Sequence, residues 1–187
     1  MRIFLALFPP PTAQATAFQV VEALRRPGDG ISWVKRENLH YTLSFLGELG
    51  EDGARRAAEA AREAAAAAPA FEGALGRPGA FPRPDRARVL WLGLAQGGPA
   101  LEQLARDLER ALRKRGFDRA DKPFSAHLTL GRVRARDCDA AALLAGTNSL
   151  EGVRAARFDV TALAVVDSTL SPGGSIYRIR DTAPLAT

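Results

Sequence analysis

The chain has 187 residues, 47% of them hydrophobic, enough to bury a real core as one domain. A net charge of +5 and a pI near 10.1 steer polyanions toward the protein. One cysteine, Cys138, excludes an internal disulfide and any multi-cysteine metal centre, and no apolar run approaches the roughly 20 residues that cross a bilayer.

Residues 2–8 read as a buried strand stopped by Pro9, Pro10 and Pro11. The run is too short, and too abruptly ended, for a signal peptide, so a cytoplasmic protein with no membrane partner is expected. A helix follows, with Ala17, Val20, Val21 and Leu24 at helical spacing and Gln14, Gln19, Glu22 and Arg25 elsewhere on its surface. Pro27-Gly28-Asp29-Gly30 ends it, and Ile31 to Val34 suits a short strand. The segment from Leu39 to Gly47 alternates, with Leu39, Tyr41, Leu43 and Phe45 on one side and His40, Thr42 and Ser44 on the other, the period of a half-buried strand. Tyr41 and Phe45 are therefore expected in the core.

Residues 51–68 form an alanine-rich helix with exposed Arg and Glu four apart. Phe71 to Phe81 reads as a bent strand, because Gly76, Pro78 and Gly79 interrupt it, and Val89 to Leu94 as an apolar one. Leu101, Leu104, Leu108 and Leu112 mark an amphipathic helix ending near Gly116. Its basic end, Arg110 to Arg115, suits either an RNA backbone or a solvated helix terminus. A second alternating strand spans Phe124 to Arg132, with Ser125, His127 and Thr129 on one face. A short helix over about 137–145 comes next. Cys138 lies there amid charge, with no adjacent histidine to activate it. Val153 to Val166 reads as one long strand, and Ser171-Pro172-Gly173-Gly174 turns the chain into a last strand from Ser175 to Arg180. The pattern predicts an α+β fold, residues 1–187 forming a single unit of two lobes of antiparallel sheet with helices outside and a cleft between.

Both histidines of the chain stand in a His-x-Thr-Leu tetrapeptide. With nine threonines available, a threonine two residues after a given histidine is a roughly one-in-twenty chance event, so its occurrence after both is informative. Two imidazoles flanking a phosphorus atom can divide proton transfer, one deprotonating a nucleophile and the other protonating a leaving oxygen. Each threonine hydroxyl, on the same strand face, can donate to a non-bridging phosphate oxygen. A zinc site lacks ligands at a recognised spacing, and a serine nucleophile lacks its Gly-x-Ser-x-Gly turn. No metal or cofactor is expected. Three of the basic residues are lysine (Lys35, Lys114, Lys122) and the rest arginine, which suits phosphate; a compositional bias toward Ala, Gly, Pro and Arg would also supply them.

The two motifs, Leu39-His40-Tyr41-Thr42-Leu43-Ser44-Phe45-Leu46-Gly47-Glu48 and Phe124-Ser125-Ala126-His127-Leu128-Thr129-Leu130-Gly131-Arg132, resemble those of the two-histidine phosphoesterases. Within these, the chain most resembles the bacterial and archaeal RNA 2′,3′-cyclic phosphodiesterases, also called LigT-like or 2′-5′ RNA ligase-like proteins. The opening strand Arg2 to Leu7, the lead-in Trp33-Val34 and the closing segment Ser168-Thr169-Leu170 with Gly174 and Tyr177 extend the likeness over nearly the whole chain. Ala126 departs from it, since the family often has proline there.

The resemblance implies a bilobal fold and metal-independent opening of a 2′,3′-cyclic phosphate at an RNA or nucleotide end, leaving a 2′-phosphate. It makes His40 the proton donor, His127 the proton acceptor, and Thr42 and Thr129 phosphate ligands. Arg132 is a further substrate-binding candidate. Strand parity points it away from His127, and Gly131 offers a bend to bring it round. Trp33 and Phe8 could stack a base, although core burial is favoured for both. The alternatives are a 2′-5′ RNA ligase acting on tRNA halves and a non-catalytic RNA- or nucleotide-binding protein. A monomer is expected.

Overall fold

The computed structural model describes residues 1–134, 140–145, 153 and 156–187. In chain order the elements are β1 (Arg2–Leu7), α1 (Pro11–Leu24), β2 (Ile31–Trp33), a 3₁₀ turn (Arg36–Asn38), β3 (Tyr41–Glu48), α2 (Glu51–Ala67), β4 (Phe71–Phe81), a second 3₁₀ turn (Pro84–Arg86), β5 (Val89–Gln96), α3 (Gly98–Lys114), β6 (Leu128–Val133), α4 (Ala141–Ala145), β7 (Arg157–Val160), β8 (Ala162–Ser171) and β9 (Gly174–Pro184). Cys138 and the first residues of the helix expected over 137–145 lie outside the described residues.

The strands form one antiparallel sheet in the order β7-β4-β5-β6-β3-β1-β8-β9, with β2 added on β6. The two expected lobes are its two halves. They meet at one register pair, Tyr41 of β3 opposite Leu128 of β6. Helices α1, α2 and α3 cover one face. The main core lies beneath them, holding Ile3, Leu5, Leu7, Leu39, Tyr41, Leu90, Leu92, Leu128, Leu130, Leu163 and Val165.

The helices pack for different reasons. In α3, Leu101, Leu104, Leu108 and Leu112 are buried at the spacing the sequence predicts, each worth about 1.5–3 kcal/mol on burial. In α2 the buried stripe is almost all alanine (Ala54, Ala57, Ala58, Ala60, Ala61, Ala64, Ala65). These side chains bury little area. They let the backbone approach β8, β9 and α3, and their helix propensity favours the element. The basic end of α3 sits against α2, where Lys114 and Arg115 pair with Glu63 at 2.7 and 2.8 Å. It is therefore on the helix side of the sheet, and Arg110 is paired with Asp107.

The opposite sheet face has its own small cluster, Phe4, Ala6, Ala164 and Val166, with Phe8 and Tyr177 packed on it. Strand β1 is thus buried on both faces, which explains its unbroken apolar run.

The long strand expected over 153–166 is two strands on opposite halves of the sheet. Strand β7 pairs with β4, and β8 pairs with β1. The chain crosses at Thr161, and the apparent alternation across it is broken there. Phe158 and Val160 face the helices, but so do Leu163 and Val165, whereas Ala164 and Val166 face the other way. The bent strand over 71–81 is the single strand β4. Its register against β5 slips near Ala74–Pro78, absorbing the Gly-Arg-Pro interruption.

Candidate active site

Each histidine is the residue immediately before a strand. His40 precedes β3 and His127 precedes β6. Because the strands are antiparallel and pair at Tyr41↔Leu128, carrying that register one residue either way sets His40 across from Thr129 and Thr42 across from His127. Tyr41 and Leu128 point into the helix-side core, both 1% exposed or less, so all four polar residues fall on the helix-free face. The two His-x-Thr motifs therefore converge crosswise about one strand pair.

The two imidazoles are oriented alike. His40 Nδ1 lies 2.7 Å from the carbonyl oxygen of Asn38, and His127 Nδ1 lies 2.7 Å from that of Ser125. A carbonyl only accepts, so each Nδ1 carries the hydrogen and each Nε2 is left for another partner. In the neutral His40 ring, Nε2 accepts from the Thr42 hydroxyl at 2.9 Å.

His40 is enclosed by aromatic rings. Phe4, Phe8 and Tyr177 have centroids 5.0, 5.2 and 5.3 Å from its own. This burial drives its pKa down from 6.5 to about 4. The Asn38 carbonyl works the other way, and the charges of His127 and Arg132 add to the lowering. His127 has one aromatic neighbour, Phe81, edge-on at 5.1 Å. Next to Thr42 the register row holds Ala6 and Ala164, whose small side chains leave room above the sheet.

Arg132 is on this face too. Parity alone would point it away from His127, and the bend expected at Gly131 takes the form of a bulge. Trp91 of β5 pairs with Thr129 but Leu90 pairs with Gly131, so β6 carries an extra residue at Leu130. Leu128, Leu130 and Val133 are all in the core, a parity slip that leaves Arg132 exposed beside the cleft. Its charge acts on both His40 and the Tyr177 hydroxyl. Among the described residues it has no carboxylate partner.

Two further expectations are corrected. Phe45 is 56% exposed rather than in the core, because β3 also bulges against β1 at Leu43 and at Leu46. Gln14 is buried rather than on the surface. Its amide nitrogen donates to the carbonyl oxygens of Leu39 at 2.9 Å and Glu37 at 3.3 Å. Asn38 Nδ2 donates to the Ser175 carbonyl at 2.8 Å. Two side chains that sequence reasoning passed over thus anchor the segment bearing His40. A polar residue at one of the apolar-face positions of α1 was the available signal. We expect Gln14→Leu to leave those carbonyls unpaired, lowering stability by about 1–3 kcal/mol in urea unfolding and lowering kcat more than it raises KM.

Trp33 packs against Gly131 and the main core and donates its indole hydrogen to Asp29 at 2.9 Å; Phe8 is committed to His40. In the other half of the site Trp91, beside Thr129, lies over Gly79. A Cβ there would come within 2.4 Å of the indole, so the position admits only glycine in this arrangement.

Among the described residues no group of three His, Cys, Asp or Glu side chains converges, and no helix is long and apolar enough to cross a membrane. A groove of about 650 Å³ lies on the other side of the sheet between α3, β3 and residues 118–124, and neither histidine lines it.

Comparison with known proteins agrees with this geometry. The family model described as the 2′-5′ RNA ligase superfamily matches residues 9–171. The chain is 34% identical over 183 residues to the RNA 2′,3′-cyclic phosphodiesterase of Archaeoglobus fulgidus, covering 95% of this chain and 97% of that one. It is 32% identical over 178 residues to that of Methanothermobacter thermautotrophicus, covering 95% of each. Among solved structures, the TT0787 protein of Thermus thermophilus superposes with a TM-score of 0.80 at 26% identity, over 99% of this chain and 98% of the other. Escherichia coli LigT complexed with 3′-AMP shares the fold, with a TM-score of 0.76 at 24% identity over 100% and 98% of the two chains.

Proposed function

The chain belongs to the 2′-5′ RNA ligase superfamily, and from that premise we propose that it hydrolyses 2′,3′-cyclic phosphate ends of RNA or nucleotides to 2′-phosphomonoesters. The observation that carries this reading is the crosswise placement of two His-x-Thr pairs about Tyr41↔Leu128 on the helix-free face. The relatives named RNA 2′,3′-cyclic phosphodiesterase, matched over nearly their full length, support the choice of substrate. The protein is proposed to act as a cytoplasmic monomer.

In the proposed step the cyclic phosphate sits between the imidazoles. A water oxygen forms the new bond to phosphorus as its proton passes to Nε2 of His127. The bond from phosphorus to O3′ breaks, and O3′ takes the proton from Nε2 of His40. The product is a 2′-phosphate with a free 3′-hydroxyl, and the two histidines have exchanged protonation states, which solvent restores. Thr42 and Thr129 donate to the non-bridging oxygens, and Arg132 balances the phosphate charge.

The free site contains a coupling that favours this sequence. When Nε2 of His40 is unprotonated it accepts from Thr42, and that hydroxyl is engaged. A proton on Nε2 turns the nitrogen into a donor and frees the Thr42 hydroxyl for a phosphate oxygen.

The test is incubation of a cyclic-phosphate-ended oligonucleotide with the protein in excess EDTA. Full turnover to the 2′-phosphate is expected. No ring opening, or opening only when a divalent cation is restored, would overturn the two-histidine reading.

A further inference from the structure

We propose that the helix-free face beyond Thr42, built on Phe45 and Arg2, is a stacking subsite for the nucleotide that precedes the cyclic-phosphate end. This deepens the phosphodiesterase reading and rests on it.

The bulges at Leu43 and Leu46 turn Phe45 out of the core and into register with Phe4, which is itself in register with Val166 and then Ile179. Four apolar residues thus run across β3, β1, β8 and β9 in one row. The inner two, Phe4 and Val166, are buried under Phe8 and Tyr177, whereas the two ends, Phe45 and Ile179, remain 56% and 55% exposed. Of the exposed large apolar side chains among the described residues, Phe45, Leu170, Ile176 and Ile179, Phe45 is the aromatic one and stands on the strand that carries Thr42.

The charge beside it indicates which. The Arg2 guanidinium lies 5.3 Å from the Phe45 ring centroid. Among the described residues Arg2 has no carboxylate partner. Its register neighbour Glu48 is held by the N-terminal amine at 3.2 Å. Arg2 and Arg132 both act on the Tyr177 hydroxyl, and the Tyr177 ring lies 5.3 Å from that of His40. Arg132 and Arg2 are thus both close enough to Tyr177 to act on it, and Arg2 also lies beside Phe45. The residues between Thr42 and Phe45 span about 10 Å of strand, within reach of an adjoining nucleotide.

An exposed ring beside a guanidinium with no carboxylate partner among the described residues suits a nucleobase, which stacks on the ring whatever its identity, with the backbone phosphate near the cation. A second protein would cover the phenyl ring but would have to supply a carboxylate to Arg2. The two arginines, Arg132 beside the His-x-Thr pairs and Arg2 beside Phe45, favour the nucleic acid strand.

The experiment measures binding of two ligands, a 2′-phosphorylated mononucleotide and a dinucleotide with the same 2′-phosphorylated end, alongside turnover of the matching cyclic phosphates. The wild-type protein should bind the dinucleotide roughly ten- to a hundredfold more tightly. Phe45→Ala should bring that ratio close to one, Phe45→Trp should keep it, and Arg2→Gln should reduce it and weaken its salt dependence. A wild-type ratio near one overturns the subsite, as does a Phe45→Ala protein that keeps the preference or one that changes oligomeric state instead. Loss of turnover with the binding ratio intact would fault the phosphodiesterase reading and leave the subsite standing.

Discussion

Replacing either histidine is expected to slow ring opening by roughly 10²–10⁴-fold, the usual worth of one positioned proton-transfer group. For His127 the cleaner variant is His127→Ala. The ring is half-buried, with one aromatic neighbour, so its removal should leave the folded state intact by circular dichroism and thermal melting. For His40 the better variant is His40→Gln, because the ring fills a space bounded by Phe4, Phe8 and Tyr177, and alanine would leave a cavity there. Single-turnover rates on a cyclic-phosphate oligonucleotide measure the loss. The double variant should be little worse than the weaker single one, since the two groups act in one transition state. Near-normal turnover in a folded His127→Ala protein would remove that residue from the mechanism.

The parts legible in the sequence are those governed by one-dimensional periodicity. The leucine stripe of α3, the alanine stripe of α2 and the shared face of each His-x-Thr pair needed only a count of residues. Expectations failed where a strand departs from period two. One extra residue in β6 at Leu130 overrides the parity of Arg132, the departure that Gly131 had left open. The bulges in β3 move Phe45 from the core to the cleft. No residue type marks a bulge unambiguously, because the partner strand's register decides it. The division of 153–166 into β7 and β8 failed for a related reason. Two half-buried strands joined by one residue look like a single alternation, although Thr161 carries the chain between halves of the sheet. Gln14 was passed over because a helix position is judged by its apolar neighbours. Its role is set by carbonyls of Glu37 and Leu39, more than 20 residues away.

The second large expected effect is a proton taken up with substrate. In the free protein the His40 pKa is depressed to about 4, chiefly by burial among aromatic rings. A donor with that pKa would be protonated in about one molecule per thousand at pH 7. The same depression makes the fold acid-sensitive. Above pH 6.5 the ring is neutral in folded and unfolded chains alike. As pH falls from 6.5 toward 4, the unfolded chain takes a proton that the folded chain refuses. Stability is therefore lost in that window, by up to about 3 kcal/mol, and His40→Gln should lack this component in urea titrations.

A phosphate anion in the cleft changes the balance. It offsets the charge of Arg132 and gives protonated Nε2 an oxygen to donate to. The His40 pKa is then expected to rise. Imidazole ¹⁵N resonances report this directly, and with two histidines in the chain the His127→Ala variant assigns them. Saturating inorganic phosphate or the 2′-phosphate product should bring His40 toward the protonated form near neutral pH. If His40 stays neutral under the bound anion, it cannot be the donor. The neutral ring would then be the base, and His127 would protonate the leaving oxygen.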